Sequence, residues 1–526
     1  MPSVPPSDFP SPWRLSPAAW CVLLAGFSVR IYLAFRLPTL SPDSHLYFQQ
    51  AKALYYGLFD QLLAYYIYVS PYPITVSLFY SVCGNWIVAA QGVNILFGTL
   101  TIAVLYGLLR RFFADGVAAL GALVFAFLPT FAEVSRDALR DPMFWFFSAL
   151  GLYLFILHIE KRRPLLLLGC SLCLALAAWA RFEAGLYIAA TAGWIFFLNR
   201  PARGRDLLVF GLPYAFLGSL FLGLSFYLDL SLVEILNPKR ILNLPLNIIA
   251  QYDALRDELK ILARPAYIIG IKSYFFDRIR SLLWIIALVA PVVLIVETLF
   301  YVFFVVLIGG AVSSLRRRWA DGRIRYLAVV SILALGALYL QTLYTWHGAS
   351  RHLAVFILPS FVFIGAGIEA GHALLRWRFR YRPAAAYALV GTVVLLTLLP
   401  PVLWVNFDRD KLVYREIGRY IAKREANTRP VNVCGAFKRV VDVQFYANLN
   451  TPSATFSDYR ALFHEANALS ADSICRAPCD YLVRDEKGWR ESKVDFSHPS
   501  ASCTFRELER WPSRKQGALI LYEVSR

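Results

Sequence analysis

The 526-residue sequence is short of charge: Asp, Glu, Lys and Arg make up 17% of it, where soluble domains carry about a quarter. It is shorter still of acid, with 35 Asp and Glu against 53 Lys and Arg. Low charge together with 15% aromatic residues excludes disorder, and the lack of a glycine period excludes a collagen-like chain. No internal repeat or low-complexity segment occurs. No His-x-x-x-His or acidic run has metal-ligand spacing, so no metal motif is read, although a divalent cation held by Asp43 and Asp141 stays open. What is plentiful is apolar: 58% of residues, with runs of about twenty recurring through the first four-fifths of the chain. That is the composition of a membrane protein. The net charge of +18 lies mostly between those runs. It points to membrane topology first and to anionic lipid or phosphate second, and away from nucleic acid.

The apolar runs fall at about 17–36, 87–109, 116–133, 142–159, 164–180, 184–199, 207–228, 283–314, 326–345, 353–374 and 384–404, an α-helical polytopic protein of about 11 spans. With the N-terminus in the cytoplasm, the inner loops are 110–111, 161–163, 200–205, 316–325 and 376–382. With Arg14 they hold about 18 Lys and Arg, against about 6 in the short outer loops. The expectation is therefore N-terminus in and C-terminus out. The first span holds Arg30 and has no small-residue cleavage site, so it reads as a retained helix. The run 283–314 is expected as one tilted or kinked helix despite Pro291 and Glu297. Glu297 then faces the bundle interior or sits at an interface.

Residues 1–405 thus form the transmembrane module, with two long outer segments, 37–86 and 229–282, expected as interfacial helices. At residue 406 the composition becomes that of a soluble domain. A helical pattern at 410–424 precedes β-like runs near 431–434, 480–484, 503–508 and 517–524, a small extracytoplasmic α/β unit. It carries Cys434, Cys475, Cys479 and Cys503, enough for two disulfides in any of three pairings. Zinc is the weaker reading, since Cys475-x-x-x-Cys479 has no second pair.

A transporter gathers ionisable groups at the membrane midplane. This chain collects them at the outer turns instead. Asp43 stands in Ser41-Pro-Asp-Ser-His45, with Tyr47 close behind. The next group is Glu133-Val-Ser-Arg-Asp-Ala-Leu-Arg-Asp-Pro142, where helical spacing would put Arg136 with Arg140 and Asp137 with Asp141 on adjacent faces. Arg181 and Glu183 close another turn. The last is Tyr344-Thr-Trp-His-Gly-Ala-Ser-Arg-His352, with His347 and His352 as auxiliary groups. Carboxylates in a partly dry pocket can take a proton from an attacking hydroxyl, and arginine forks can hold a departing phosphate. Taken singly, the same residues are ordinary caps and snorkelling side chains.

Over about residues 20–405 the pattern resembles the GT-C class of polytopic glycosyltransferases, above all the bacterial branch related to protein O-mannosyltransferases and lipid A aminoarabinose transferases. Three features carry the likeness. One is the Arg30-bearing first span leading to Pro42-Asp43-Ser44-x-x-Tyr47 and Ala51-Lys-Ala-Leu54. Another is Pro71-Tyr-Pro73, Gly84, Asn94, Leu128-Pro129 and Arg140-Asp-Pro-Met-Phe-Trp-Phe-Phe147. The last is Ser350-Arg-His352 with Pro359.

The resemblance implies a sugar on a polyprenyl phosphate, transferred with inversion to an acceptor hydroxyl of a glycan, lipid or protein at the outer face of a bacterial inner membrane. It implies Asp43 as the base or acceptor-orienting group and Asp141 as the acid opening the fourth span, with Asp137 as its rival. Arg351 would lie near the donor phosphate, helped by Arg136 or Arg140, with Lys239 and Arg240 as auxiliary ligands and His45 beside Asp43. Ser44 stands where protein O-mannosyltransferases carry Glu, and His352 where tyrosine is common. The rival readings are an O-antigen ligase or polymerase-like transferase with a diphosphate-linked donor, and, further off, a lipid or solute transporter.

Overall fold

The structure, a computed structural model, describes residues 15–36, 40–65, 69–198, 202–227, 243–263, 271–404, 410–435, 439–453, 475–476, 478–487, 503–513 and 517–525. In chain order the helices begin with α1 (Pro17–Arg36), α2 (Pro42–Tyr55), α3 (Phe59–Tyr65), α4 (Pro71–Cys83), α5 (Trp86–Leu109), α6 (Asp115–Phe127), α7 (Pro129–Glu133), α8 (Asp141–Lys161), α9 (Pro164–Ala180) and α10 (Gly185–Leu198). They continue with α11 (Arg203–Tyr227), α12 (Leu244–Leu262), α13 (Ile271–Thr298), α14 (Val302–Arg317), α15 (Gly322–Thr345), α16 (Ala354–Arg378), α17 (Pro383–Leu403), α18 (Asp410–Arg424) and α19 (Val440–Asn448). Among the described residues, seven helical segments are long and apolar enough to cross a membrane, or eight if the bent pair α6–α7 counts as one. The protein is a multi-pass membrane protein. All eleven apolar runs are helical because a chain in lipid must satisfy its backbone groups within itself.

Two of those runs are broken. Leu128 leaves helical geometry (ψ 118°) ahead of Pro129, which opens α7, and the two pieces meet at 61°. Proline disfavours helical geometry in the residue before it, which accounts for the break. The expectation of one kinked helix over 283–314 is wrong. The chain leaves α13 at Thr298 and restarts as α14 at Val302, with Phe300 and Tyr301 between them at φ 53° and 55°. The reason is length: α13 begins twelve residues before the apolar run, so its 28 residues already reach about 42 Å. That exceeds a hydrocarbon core of about 30 Å. Pro291 stays inside α13, and Glu297 is exposed at its end and does not face the bundle interior.

The described chain divides into two compact units. The larger comprises Met1–Arg30, Ile95–Glu133 and Asp141–Trp404. Within it Arg30 is fully buried, and its Nη1 donates to the carbonyls of Gly26 (3.0 Å) and Ala126 (3.2 Å). Helix α14 crosses α16 through glycines: a methyl on Gly310 would clash with the Phe363 carbonyl, and one on Gly367 with the Val306 carbonyl. Close backbone approach at small residues is how helices pack without a hydrophobic driving force. One end of this unit is tied by ion pairs. Glu160 accepts from Arg111 (2.6 Å) and Arg323 (2.5 Å), and Asp321 caps α15 by accepting from the Arg323 amide at 2.9 Å.

The smaller unit comprises Ile31–Asn94, Val134–Arg140 and Val405–Arg526, so the tail is compact with the first long segment. The four tail strands are β1 (Val433–Gly435), β2 (Tyr481–Asp485), β3 (Thr504–Ser513) and β4 (Gly517–Ser525), near the runs read from sequence. They form a sheet in the order β1-β2-β4-β3, parallel between β1 and β2 and antiparallel elsewhere. Leu519 and Leu521 of β4 join Ile417, Ile421, Val440 and Val443 of α18 and α19 on one face, while Ile520 and Tyr522 pack on the other. Disulfides join Cys434 to Cys479 and Cys475 to Cys503, with Cα atoms 5.8 and 5.7 Å apart.

Candidate active site

In the larger unit the charged centre is Arg181. It follows α9 in extended geometry (φ −148°, ψ 128°), which turns its guanidinium back towards the start of α8. There Asp141 is the first residue of the helix, followed by Pro142, a pairing that suits both the helix dipole and the fixed proline φ. Nη1 of Arg181 donates to Asp141 at 2.5 Å, and Nη2 and Nε donate to the Glu183 carboxylate at 2.5 and 3.3 Å. Asp141 is 2% exposed and Arg181 7%. One guanidinium between two carboxylates leaves a net charge of −1, and the Ser350–Leu353 turn is the neighbouring segment. From that turn His352 stands within electrostatic reach of Arg181, Asp141, Glu183 and Arg351, and its Nδ1 meets Gln341 Nε2 at 3.2 Å. Arg351 is half-buried and His347 is exposed.

The smaller unit holds the other candidates. Asp43 is exposed in the first turn of α2, behind Pro42. Asp137 is buried, and its Oδ1 accepts from the Ser41 amide at 2.8 Å, while the Ser44 hydroxyl accepts from the Ala138 amide at 3.1 Å. Asp137 therefore ties the 134–140 segment to the start of α2. The i,i+4 faces expected for Arg136–Arg140 and Asp137–Asp141 do not form. Only Val134–Arg136 makes a turn of 3-10 helix, because side chains of α5 take the carbonyls that a helix would need. Asn94 donates to the Val134 and Asp137 carbonyls at 3.2 and 2.6 Å, and Gln91 to that of Arg136 at 2.8 Å. Arg136 Nε lies 3.9 Å from Asp137, and Arg140 lies over the Tyr47 ring at 5.9 Å.

His45 is buried, stacked on Phe445 of α19 at 4.1 Å, with Nε2 3.5 Å from Asp442. Burial, reinforced by Arg439 and opposed by Asp43, holds its pKa down at about 3. The ring is thus neutral at physiological pH, and its contact with Asp442 is not an ion pair. Lys239 and Arg240 lie outside the described residues.

Two residues carry more than sequence reasoning assigned them. Arg181 was noted only as closing a turn, yet it organises the acidic cluster. Lys52 was quoted without a role. It is 4% exposed, its Nζ donates to the Asn448 carbonyl at 2.7 Å, and burial lowers its pKa to about 7. A signal for it existed: His45, Phe48 and Lys52 fall at i, i+3 and i+7 on one helical face. Among the described residues no three His, Cys, Asp or Glu side chains group as a metal site.

Residues 71–227 match the family model of dolichyl-phosphate-mannose-protein mannosyltransferases. The fold is that of ArnT from Cupriavidus metallidurans, solved bound to undecaprenyl phosphate: TM-score 0.54 at 11% identity, covering 96% of this chain and 98% of that one. The chain has the GT-C glycosyltransferase fold. The archaeal oligosaccharyltransferase AglB from Archaeoglobus fulgidus, solved with an inhibitory peptide and a dolichol-phosphate, is also similar: TM-score 0.52 at 13% identity, covering 89% of this chain and 69% of that one. A comparison with curated proteins finds no match. Within the GT-C fold, the stretch matched by the family model contains Asp141, Arg181 and Glu183 together, while Asp43 and Arg351 lie outside it.

Proposed function

We propose that the protein is a membrane glycosyltransferase that moves a sugar from a polyprenyl-phosphate donor to an acceptor hydroxyl. The observation that carries this reading is the Asp141–Arg181–Glu183 cluster, with Asp141 and Arg181 buried, inside the matched stretch of a GT-C fold. The two similar structures, solved with dolichol-phosphate and undecaprenyl phosphate, support a donor of the same lipid class. In this reading Asp43, exposed where Asp137 and Asp141 are buried, accepts the proton of the attacking hydroxyl. The acceptor oxygen bonds to the anomeric carbon as the bond to the phosphate oxygen breaks, with inversion. Arg351 receives the charge that develops on the leaving phosphate, and the Arg181 cluster keeps the adjoining turn rigid. The acceptor is a glycan, lipid or protein, and the reaction faces the outside of a bacterial inner membrane, where the tail also lies.

The test is turnover by the full chain in lipid, with candidate polyprenyl-phosphate sugars and envelope-extract acceptors. Asp43→Asn is expected to lower acceptor-dependent release of polyprenyl phosphate by at least about 100-fold, the scale of a lost general base. Release at the wild-type rate would remove Asp43 from the mechanism. Turnover from a diphosphate-linked donor alone would move the protein to the ligase class.

A further inference from the structure

A cavity of about 670 Å³ lies between the basic ends of α14 and α16, at the opposite end of α16 from Arg351 and His352. Its wall brings Arg317, Arg318 and Arg376 together with one acid, Glu369. Arg318 holds that acid at 2.6 Å and lies over the Phe113 ring at 5.2 Å. The wall therefore keeps a surplus of two positive charges, carried by Arg317 and Arg376, both exposed. His372 lines the same space. It is 7% exposed and stacked on Tyr387 at 4.0 Å, and its Nε2 has no hydrogen-bond partner among the described residues. At the rim, Trp377 is 84% exposed, with Leu374, Phe379 and Tyr381 exposed around it. Aromatic and aliphatic side chains beside arginines at a helix end are the mark of the lipid–water boundary. None of these groups serves the transfer reaction proposed above.

We propose that this cavity binds the phosphate headgroup of an anionic phospholipid. Two arginines and a buried imidazole nitrogen supply the donors that phosphate oxygens accept. The apolar rim selects a lipid over a free phosphate, because only a lipid carries acyl chains to lie along it.

The test is native mass spectrometry of the full chain in a neutral detergent, titrated with phosphatidylglycerol, with phosphatidylcholine, and with glycerol phosphate as the headgroup without chains. The wild type is expected to retain one phosphatidylglycerol at least about 10-fold more tightly than phosphatidylcholine. Arg317→Gln combined with Arg376→Gln removes that preference, and Arg376→Gln alone removes part of it. Arg382→Gln, an exposed arginine outside the wall, changes retention less than about two-fold. Equal retention of the two lipids by the wild type overturns the proposal. So does a loss in Arg382→Gln as large as in the double variant, which would mean diffuse surface charge. Binding of glycerol phosphate as tight as that of phosphatidylglycerol overturns the assignment to a lipid.

Discussion

In the larger unit, Arg181 keeps its charge in a buried place because Asp141 and Glu183 meet it on both sides of the guanidinium fork. In the smaller unit His45 and Lys52 are just as buried, but among the described residues His45 meets Asp442 at 3.5 Å without a hydrogen bond, and Lys52 donates to a carbonyl, that of Asn448, rather than to a carboxylate. Burial instead drives both towards their neutral forms. Desolvation costs several kcal/mol per ion, and a protein can answer it by pairing the charge or by shedding it. The first answer makes a rigid, geometry-dependent cluster. The second makes a packing contact between α2 and α19 that depends on pH.

Breaking the paired cluster should have the largest effect on stability. Arg181→Ala strands the buried Asp141 and the half-buried Glu183 carboxylates, with an expected loss of about 3–5 kcal/mol. Thermal unfolding of the full chain in detergent measures it. Arg181→Lys should recover only part, since an ammonium cannot fork to Asp141 and Glu183 together. Full recovery would show that charge alone matters there.

The shed charge makes the opposite kind of prediction. Lys52 has a folded pKa of about 7, below its unfolded value near 10.5, so between these pH values the unfolded chain binds more protons. Stability should therefore rise as pH increases from 7 to 10.5, by ~5 kcal/mol at most, and level off below 7. Lys52→Met should be as stable as wild type or more so at pH 7 and should flatten this window. A slope unchanged by the substitution would assign the effect to another group. The smallest effect belongs to the tie between segments: Asp137→Ala removes the acceptor of the Ser41 amide and should cost about 1–2 kcal/mol. Amide hydrogen exchange at the start of α2 should quicken; unchanged exchange there would count against Asp137 as the tie.

Much of the helical architecture was legible because it rests on local facts. Eleven apolar runs predicted helices, and all eleven are helical, since span length and apolarity are properties of a continuous segment. The tail strands were legible in the same way, as short β-like runs. The break at Thr298–Val302 was not. It depends on where α13 starts, and that start lies in a stretch whose composition reads as interfacial. The 134–140 segment escaped for another reason. Its i,i+4 charges fit a helix, but Asn94 and Gln91, forty or more residues away, take the carbonyls that a helix would use.

By itself, then, the sequence determined that the chain crosses a membrane many times, that its tail is a small disulfide-capable α/β structure, and which turns carry its charged residues. Only the tertiary structure decided which of four cysteines pair and that Arg181 rather than Arg136 or Arg140 holds Asp141. It also decided that Lys52 is buried under the Asn448 carbonyl. The physical reason is range. Hydrophobic span length and strand alternation are set by neighbours along the chain. A buried charge takes its partner from whatever the packing brings within about 3 Å, and here Asp141 reaches Arg181 from 40 positions away and Asn448 reaches Lys52 from 396.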